Sequence, residues 1–229
     1  MTTPAVIAAD PLATLPPIVR WLMERSKPEP PALELVTPAV TFESLYALWM
    51  SKKQFASAIR LIASVLPARE SIWWAWVSAR HATQMPGGTA PTAAVHAALG
   101  NVERWITRPD DETRRATWQS ANEAGLDTPI GMIGAAVFLS GVSIAPVNAA
   151  AVPPPPGAIV SLIPGAILLA SASNSDARNI EPTQIAFAAQ GLEVVKRLGG
   201  WDAALKTAHE AHVRAEQDYA RATAAPAAR

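Results

Sequence analysis

The feature that most constrains the fold is an uncharged block at residues 128–175, which contains no Asp, Glu, Lys or Arg. It holds two apolar stretches, 129–144 and 157–172, joined by a proline-rich connection. Helices without charge need neighbours or lipid on every side. A bilayer crossing takes about 20 consecutive apolar residues, and both stretches are shorter. We therefore expect two central helices of a core, with a membrane-associated helical hairpin as the alternative.

The whole chain is predicted to be all-α, with antiparallel helical hairpins packed into one compact domain that is either α-solenoid-like or a bundle. Apolar residues recur at helical spacing, and no alternating run is long enough for a sheet. Prolines, glycines and capping residues mark the helix ends. The predicted helices cover residues 18–24, 42–50, 55–66, 70–85, 92–106, 111–124, 129–144, 157–172, 183–198 and 201–222.

Composition divides the chain into three segments. Residues 1–40 are predicted to form a Pro-rich N-terminal arm with one short helix and extended backbone at 27–40, because each proline removes a backbone donor. Residues 41–222 form the helical domain, and 223–229 are expected to be a disordered tail. The N-terminus has neither a basic region nor a continuous apolar region of the kind found in signal peptides. We therefore expect a cytoplasmic protein.

The junction between the predicted helices on either side of residue 126 is unusually clear. Asp110 or Asp111 is expected to cap the first helix, and Thr128 the second, with a proline at its first position. Gly125 is a natural residue to end the first helix, and Leu126 is placed for the apolar contact of a Schellman motif. The two helices should therefore meet with almost no spacer.

Charge and cysteine content exclude several classes of function. Lys+Arg and Asp+Glu are both 19, so the formal net charge is zero. A dedicated nucleic-acid binder carries a basic surface that neutralises phosphates, and none is expected here. The absence of cysteine excludes disulfides, thiolate metal sites and cysteine nucleophiles. No cofactor is predicted, because the chain has no phosphate-binding glycine loop and no hydrolase elbow.

Two polar clusters are interpreted as solvent-exposed. His209 and His212 are three residues apart, whereas a zinc-binding helix of the zincin type needs a spacing of four, so no metal site is predicted. Arg114 and Arg115 follow a run of carboxylates that helix capping explains. We expect both arginines on the solvated surface or at the rim of an interface.

Residues 42–67 approximate the spacing of one tetratricopeptide unit, in which large residues on one helix fill a groove beside Ala58 on the next. Tyr46 stands where that family has a small residue, and no further copies occur at a fixed period. A generic helical hairpin is therefore the favoured interpretation. Stacked hairpins of this kind are commonly used for protein binding.

The predicted helix at 70–85 carries the candidate interaction residues. Trp73, Trp74 and Trp76 point in three directions, so this helix is either contacted on nearly all sides or leaves one tryptophan exposed. An exposed tryptophan beside Arg80 would be a typical interface anchor. His81 with Arg80 is the only candidate pair for catalysis, and a partly buried, hydrogen-bonded histidine is the favoured alternative.

The strings WWAWVSARH, WITRPDDETRR, GLDTPIG and PPPP lie within residues 55–198. In these strings the chain resembles an uncharacterised family of Ala-rich bacterial helical proteins associated with accessory genes near type VI secretion clusters. The resemblance implies an accessory or adaptor role and no catalytic residues. The leading hypothesis is a non-enzymatic protein that binds a protein partner. The alternatives are the membrane-associated hairpin and an enzyme using His81 and Arg80.

Overall fold

The computed structural model describes residues 12–85, 90–173 and 176–224. These residues form eleven α-helices and one short 3₁₀ helix at Ala177–Asn179, with no strand among them, so the all-α prediction is confirmed. The α-helices are α1 Pro17–Ser26, α2 Pro30–Leu33, α3 Phe42–Ser51, α4 Phe55–Val65, α5 Ala68–Gln84, α6 Ala93–Thr107, α7 Asp111–Ala124, α8 Pro129–Phe138, α9 Ala158–Ser171, α10 Ile180–Arg197 and α11 Trp201–Ala224.

The junction between α7 and α8 follows the predicted caps but not the predicted turn. Asp110 accepts a hydrogen bond from the Thr113 amide, and Thr128 accepts one from the Gly131 amide. Gly125 has φ 90° and ψ 123°, outside the left-handed helical region that a Schellman motif requires. Leu126 is 45% exposed, so the predicted apolar contact is wrong.

Helices far apart in the sequence share one hydrophobic core. Helix α4 packs against α1, α3, α9, α10 and α11, while α5 packs against α6, α8, α9 and α10. In a solenoid each unit contacts only its neighbours along the chain. The contacts of α4 with α9 and α10 therefore indicate a compact bundle rather than a solenoid.

The uncharged block supplies two central helices. Ile133 and Val137 of α8 and Ile163 and Ile167 of α9 are fully buried. Helix α8 ends at Phe138, so the prediction that it continues to residue 144 is wrong, and residues 139–157 form a loop. In the described part of the chain, no helix combines the length and apolar character needed to cross a membrane.

The N-terminal segment contributes to the same core. Val19, Leu22 and Met23 of α1 are buried in it. The prediction of extended backbone over 27–40 is wrong at α2, where two prolines occupy the first turn and lose no intrahelical hydrogen bond. The carbonyl of Ala32 in α2 accepts a 2.9 Å hydrogen bond from Trp49 Nε1. Residues 1–11 of the predicted arm lie outside the described residues.

The hairpin of α3 and α4 packs against the last helix, α11. Tyr46 packs against Trp201 of α11 with ring centroids 6.0 Å apart, which explains a large residue at that position. Helix α11 continues to Ala224, so the first two residues of the predicted tail are helical. Residues 225–229 of that tail lie outside the described residues.

Candidate interaction surface

The three tryptophans of α5 have different environments. Trp74 is fully buried, and its Nε1 donates a 2.9 Å hydrogen bond to the Phe187 carbonyl of α10. Trp76 is buried and donates to the Leu99 carbonyl of α6 at 3.0 Å. Trp73 is 38% exposed. Trp74 and Trp76 therefore tie neighbouring helices together, and only Trp73 presents its ring to solvent.

Arg80 and His81 lie at the exposed end of the same helix. The Arg80 guanidinium carbon is 5.2 Å from the centroid of the Trp76 ring, and the His81 ring is edge-on to Phe187 at 5.9 Å. Both residues are exposed, so the expectation of a partly buried, hydrogen-bonded His81 is wrong. Within the described residues neither side chain forms a hydrogen bond or an ion pair. In the described part of the chain, no group therefore orients His81 as a base.

A buried arginine, which the sequence analysis placed at the surface, organises α7. Arg114 is only 3% exposed. Its Nε and Nη2 donate to Asp111 Oδ1 at 2.9 and 2.6 Å, and Arg115 Nε donates to Asp111 Oδ2 at 2.6 Å. Hydrogen bonds from Arg115 and then from Arg114 hold the pKa of the Asp111 carboxyl below its usual value. We call Asp111, Arg114 and Arg115 the arginine clamp.

The clamp reaches across to the loop after α8. Arg114 donates through Nη1 to the Phe138 carbonyl and through Nη2 to the Ser143 carbonyl, the latter at 2.9 Å. Arg115 Nη1 donates to the Ala145 carbonyl at 2.7 Å. These are charge-assisted hydrogen bonds, which are stronger than those between neutral groups. The clamp therefore fixes the first part of the loop against α7.

The loop of residues 139–157, which we call the valine loop, also closes on itself. The Ile144 amide donates to the Val152 carbonyl at 2.8 Å. The Ser143 hydroxyl accepts from the Val152 amide at 3.1 Å. The two ends of segment 144–152 therefore meet, and the arginine clamp lies at this base of the loop.

Exposed apolar side chains cover the valine loop. Val142 is 89% exposed, Val147 is 76% exposed and Val152 is 48% exposed. No charged residue lies anywhere in the loop. Apolar surface exposed on a folded protein is typical of a protein-interaction site. The structure thus combines a base held by arginine hydrogen bonds with an uncharged loop that exposes three valines.

The sequence does contain a signal for the clamp. Asp111 precedes Arg114 and Arg115 by three and four residues, the spacing at which helical side chains meet. Capping explains Asp110, but Asp111 lies within the helix and pairs with the arginines. What the spacing does not show is that the arginines continue to carbonyl groups about thirty residues later.

Another feature is an apolar pocket of about 300 Å³ between α5, α6 and α8. Among the described residues its lining includes Ala79, Val95, Leu99 and Ile130 and no charged side chain. In the described part of the chain, no group of three or more His, Cys, Asp or Glu residues could hold a metal ion.

The clamp, the valine loop and α5 all fall within one family match. A family described as being of unknown function, DUF6931, matches residues 45–195. The chain belongs to this family. No curated protein and no solved structure matches the chain.

The DUF6931 region covers most of the segment in which the sequence analysis found its resemblance, so membership of an uncharacterised family is confirmed. The bacterial origin and the tryptophan motif as a family signature stay predictions. Helices α1 and α11 lie outside the DUF6931 region. Both pack against α4, so they complete the core of that region.

Proposed function

We propose that this chain is a non-enzymatic interaction protein of the adaptor type, which docks one protein partner through the valine loop. The observation that carries the proposal is the pairing of an exposed, uncharged loop with a buried arginine that holds its base. Exposing valines to water is unfavourable by about 25 cal/mol per Å² of apolar surface. A partner that covers Val142 and Val147 would recover that free energy.

The arginine clamp makes the loop suitable for binding. A flexible loop loses conformational entropy when it binds, which lowers its affinity. Here the hydrogen bonds of Arg114 and Arg115 hold the base of the loop before any partner arrives. The ordering cost of the base is therefore met during folding.

The shape of the loop indicates the kind of partner. Val142 at the base of the loop is 89% exposed and Val147 further along it is 76% exposed, so both side chains project into solvent. A two-fold contact between copies of one chain requires a patch that complements itself, and two sets of projecting side chains do not complement each other. Because the loop carries no charge, the partner needs no opposite charge on the surface that contacts it. The partner we propose is a different protein with an apolar, uncharged groove.

Trp73 and Arg80 support a second contact of the same partner. Trp73 is the only tryptophan of α5 whose ring is exposed, and Arg80 is exposed two turns further along that helix. Tryptophan and arginine are enriched among residues that dominate binding energy. Trp74 and Trp76 are not part of this proposal, because their rings are buried and donate to backbone carbonyls. His81 is exposed, but its ring packs edge-on against Phe187, so it is left out as well.

The resemblance to Ala-rich accessory proteins suggests where the partner is found. We propose a cytoplasmic role as an accessory of a type VI secretion system. The partner would then be a component or cargo of that machine. Fractionation of the native host would place the chain with cytoplasmic proteins, and enrichment in the membrane fraction would contradict this location.

The test compares two charge variants in the native host. A double variant, Val142→Asp with Val147→Asp, places charges on the valine loop without touching the core. Val213→Asp is the matched control, because Val213 is 40% exposed and lies on α11. Affinity purification of each variant and of the wild type is followed by quantitative mass spectrometry.

We expect one protein to be retained by the wild type and by Val213→Asp but lost from the loop variant. Equal recovery of all proteins by the three forms would contradict the proposal. Sedimentation velocity of the purified wild type is expected to show a monomer. A dimer that the loop substitutions dissociate would make a second copy the occupant and would also contradict the proposal.

A further inference from the structure

A pocket of about 220 Å³ lies outside the surface described above, between α1, the start of α9 and α11. Its charged and polar lining residues are Glu24, Arg25, Lys27, Ser161 and His212. The ring of Trp21 forms an apolar wall. The pocket joins the family region to both flanking helices, because α9 lies inside that region and α1 and α11 do not.

Arg25 is a partly buried cation without an anionic partner. Its Nε donates to the Ser64 carbonyl at 2.9 Å, its guanidinium carbon lies 5.3 Å from the centroid of the Trp21 ring, and its Nη1 is 3.5 Å from His212 Nδ1. None of these groups is negatively charged. No carboxylate of the described residues lies within ion-pair distance of Arg25.

This environment is costly for the arginine. Burial lowers the pKa of Arg25 to about 10. A buried charge is stabilised by a counterion, and one left unpaired destabilises the fold. An anion bound in the pocket would supply the negative charge that Arg25 lacks.

The other walls do not neutralise the pocket. Lys27 lines it and is exposed, so its charge adds to that of Arg25. The pKa of His212 is lowered by burial first, and then by Arg25 and His209, while Glu216 opposes them. The Glu24 carboxylate is 3.8 Å from Arg20 Nε, so a cation lies beside it. The first turn of α9 faces the pocket at Gly157, and no side chain caps its amides.

We propose that this pocket binds the phosphate group of a small phosphomonoester. A phosphomonoester carries close to two negative charges at neutral pH, which match the two cations Arg25 and Lys27. Arginine binds phosphate oxygens through its fork of N–H donors, and lysine acts as a point charge. The ring of Trp21 offers a surface for the organic part of the ligand.

The test measures binding of two probes, inorganic phosphate and phenyl phosphate, to the full chain by isothermal titration calorimetry at constant ionic strength. Benzoate serves as a probe of similar shape with one negative charge. The informative variants are Arg25→Gln and Ser161→Glu. Ser161 is exposed in the first turns of α9, where a carboxylate is favourable, so Ser161→Glu retains the fold and places a competing anion at the pocket.

The matched controls are Ser161→Gln, which has the same size without the charge, and Arg221→Gln, which removes a charge from the exposed end of α11. Circular dichroism establishes that each variant is folded. We expect the affinity for phenyl phosphate to fall by about tenfold or more in Arg25→Gln and Ser161→Glu. It should stay within about twofold of the wild type in both controls.

Three results would overturn the proposal. One is the absence of binding of either phosphate probe to the wild type. Another is wild-type affinity in Ser161→Glu, because its carboxylate should compete for the same cations. The third is benzoate binding as tightly as phenyl phosphate, which would show that two negative charges are not required.

Discussion

At the scale of single residues, neighbouring side chains on α5 differ in how deeply they are buried. Trp74 fills the space between helices and satisfies a backbone carbonyl of α10, while Trp73, one position earlier, is half exposed. Identical side chains therefore contribute unequally to stability. The helical pattern predicts that the three tryptophans point apart, but it does not show which direction meets solvent, because that depends on helices distant in the sequence.

We expect Trp74→Phe to lower the free energy of unfolding by about 2 kcal/mol, because it removes buried volume and a buried hydrogen bond. Trp73→Phe should change it by less than about 0.5 kcal/mol, as is usual for exposed positions. Urea unfolding of both variants and the wild type checks this difference. Equal losses would contradict the assignment of Trp74 as the central residue.

The arginine clamp leads to a second prediction. Arg114→Met should lower the free energy of unfolding by about 2–3 kcal/mol, because the carbonyls of Phe138 and Ser143 lose a buried charged donor. Arg108→Met is the matched control, since Arg108 is 86% exposed, and no measurable loss is expected. Chemical denaturation measures both. A loss of similar size in the control would show that helix charge, rather than the clamp, sets the stability.

His212 makes stability depend on pH. Burial lowers its pKa in the folded chain, so the unfolded chain takes up the proton first as pH falls below about 6.5. The stabilisation is present above that pH and is lost as pH falls through the folded-state pKa. We expect urea midpoints of the wild type to decrease in the pH window below about 6.5.

His212→Gln should flatten the pH dependence in that window, because glutamine does not titrate. His96→Gln, at an exposed position of α6, is the matched control and should keep the wild-type profile. An unchanged profile in His212→Gln would assign the pH dependence to other groups.

At the scale of helices, most element positions could be predicted from capping and apolar spacing, but the end of α8 could not. Residues 139–144 are uncharged, and Leu139, Val142 and Ile144 extend the apolar stretch. In the structure, however, the Arg114 side chain of α7 donates hydrogen bonds to the carbonyls of Phe138 and Ser143. A competing donor from another helix leaves no trace in the local pattern, so the first six residues of the valine loop were predicted as helix.

Two glycines within helices should respond oppositely to alanine. A Cβ at Gly191 of α10 would lie 2.6 Å from Trp74 Cζ2 and 2.9 Å from Ile62 Cγ2. We expect Gly191→Ala to destabilise the fold by about 2 kcal/mol, because neither buried side chain can move away. A Cβ at Gly100 of α6 meets nothing within 4 Å.

Gly100→Ala should therefore stabilise the fold by about 0.5–1 kcal/mol through higher helix propensity. Thermal unfolding of the two variants gives the two signs. Destabilisation of both to the same extent would show that the close approach of α10 to Trp74 is not a feature of the protein in solution.

At the scale of the whole molecule, one part of the uncharged block is buried and another is exposed, and composition alone does not separate the two parts. Its helices α8 and α9 form the centre of the bundle, and its loop is the most exposed apolar part of the described chain. The sequence predicts burial of the two apolar stretches, 129–144 and 157–172, which the proline-rich connection joins. Which part is buried depends on two sets of contacts. The arginine clamp holds the valine loop at the surface, and helices that are distant in the sequence pack around α8 and α9.

The central claim is that the valine loop contacts a protein partner. Site-specific photocrosslinking in the native host tests it most directly, with a photoreactive amino acid at position 147 in one strain and at position 213 in another. We predict that one protein is crosslinked from position 147 and not from position 213. Crosslinks that are absent from position 147, or that are the same from both positions, would contradict the claim.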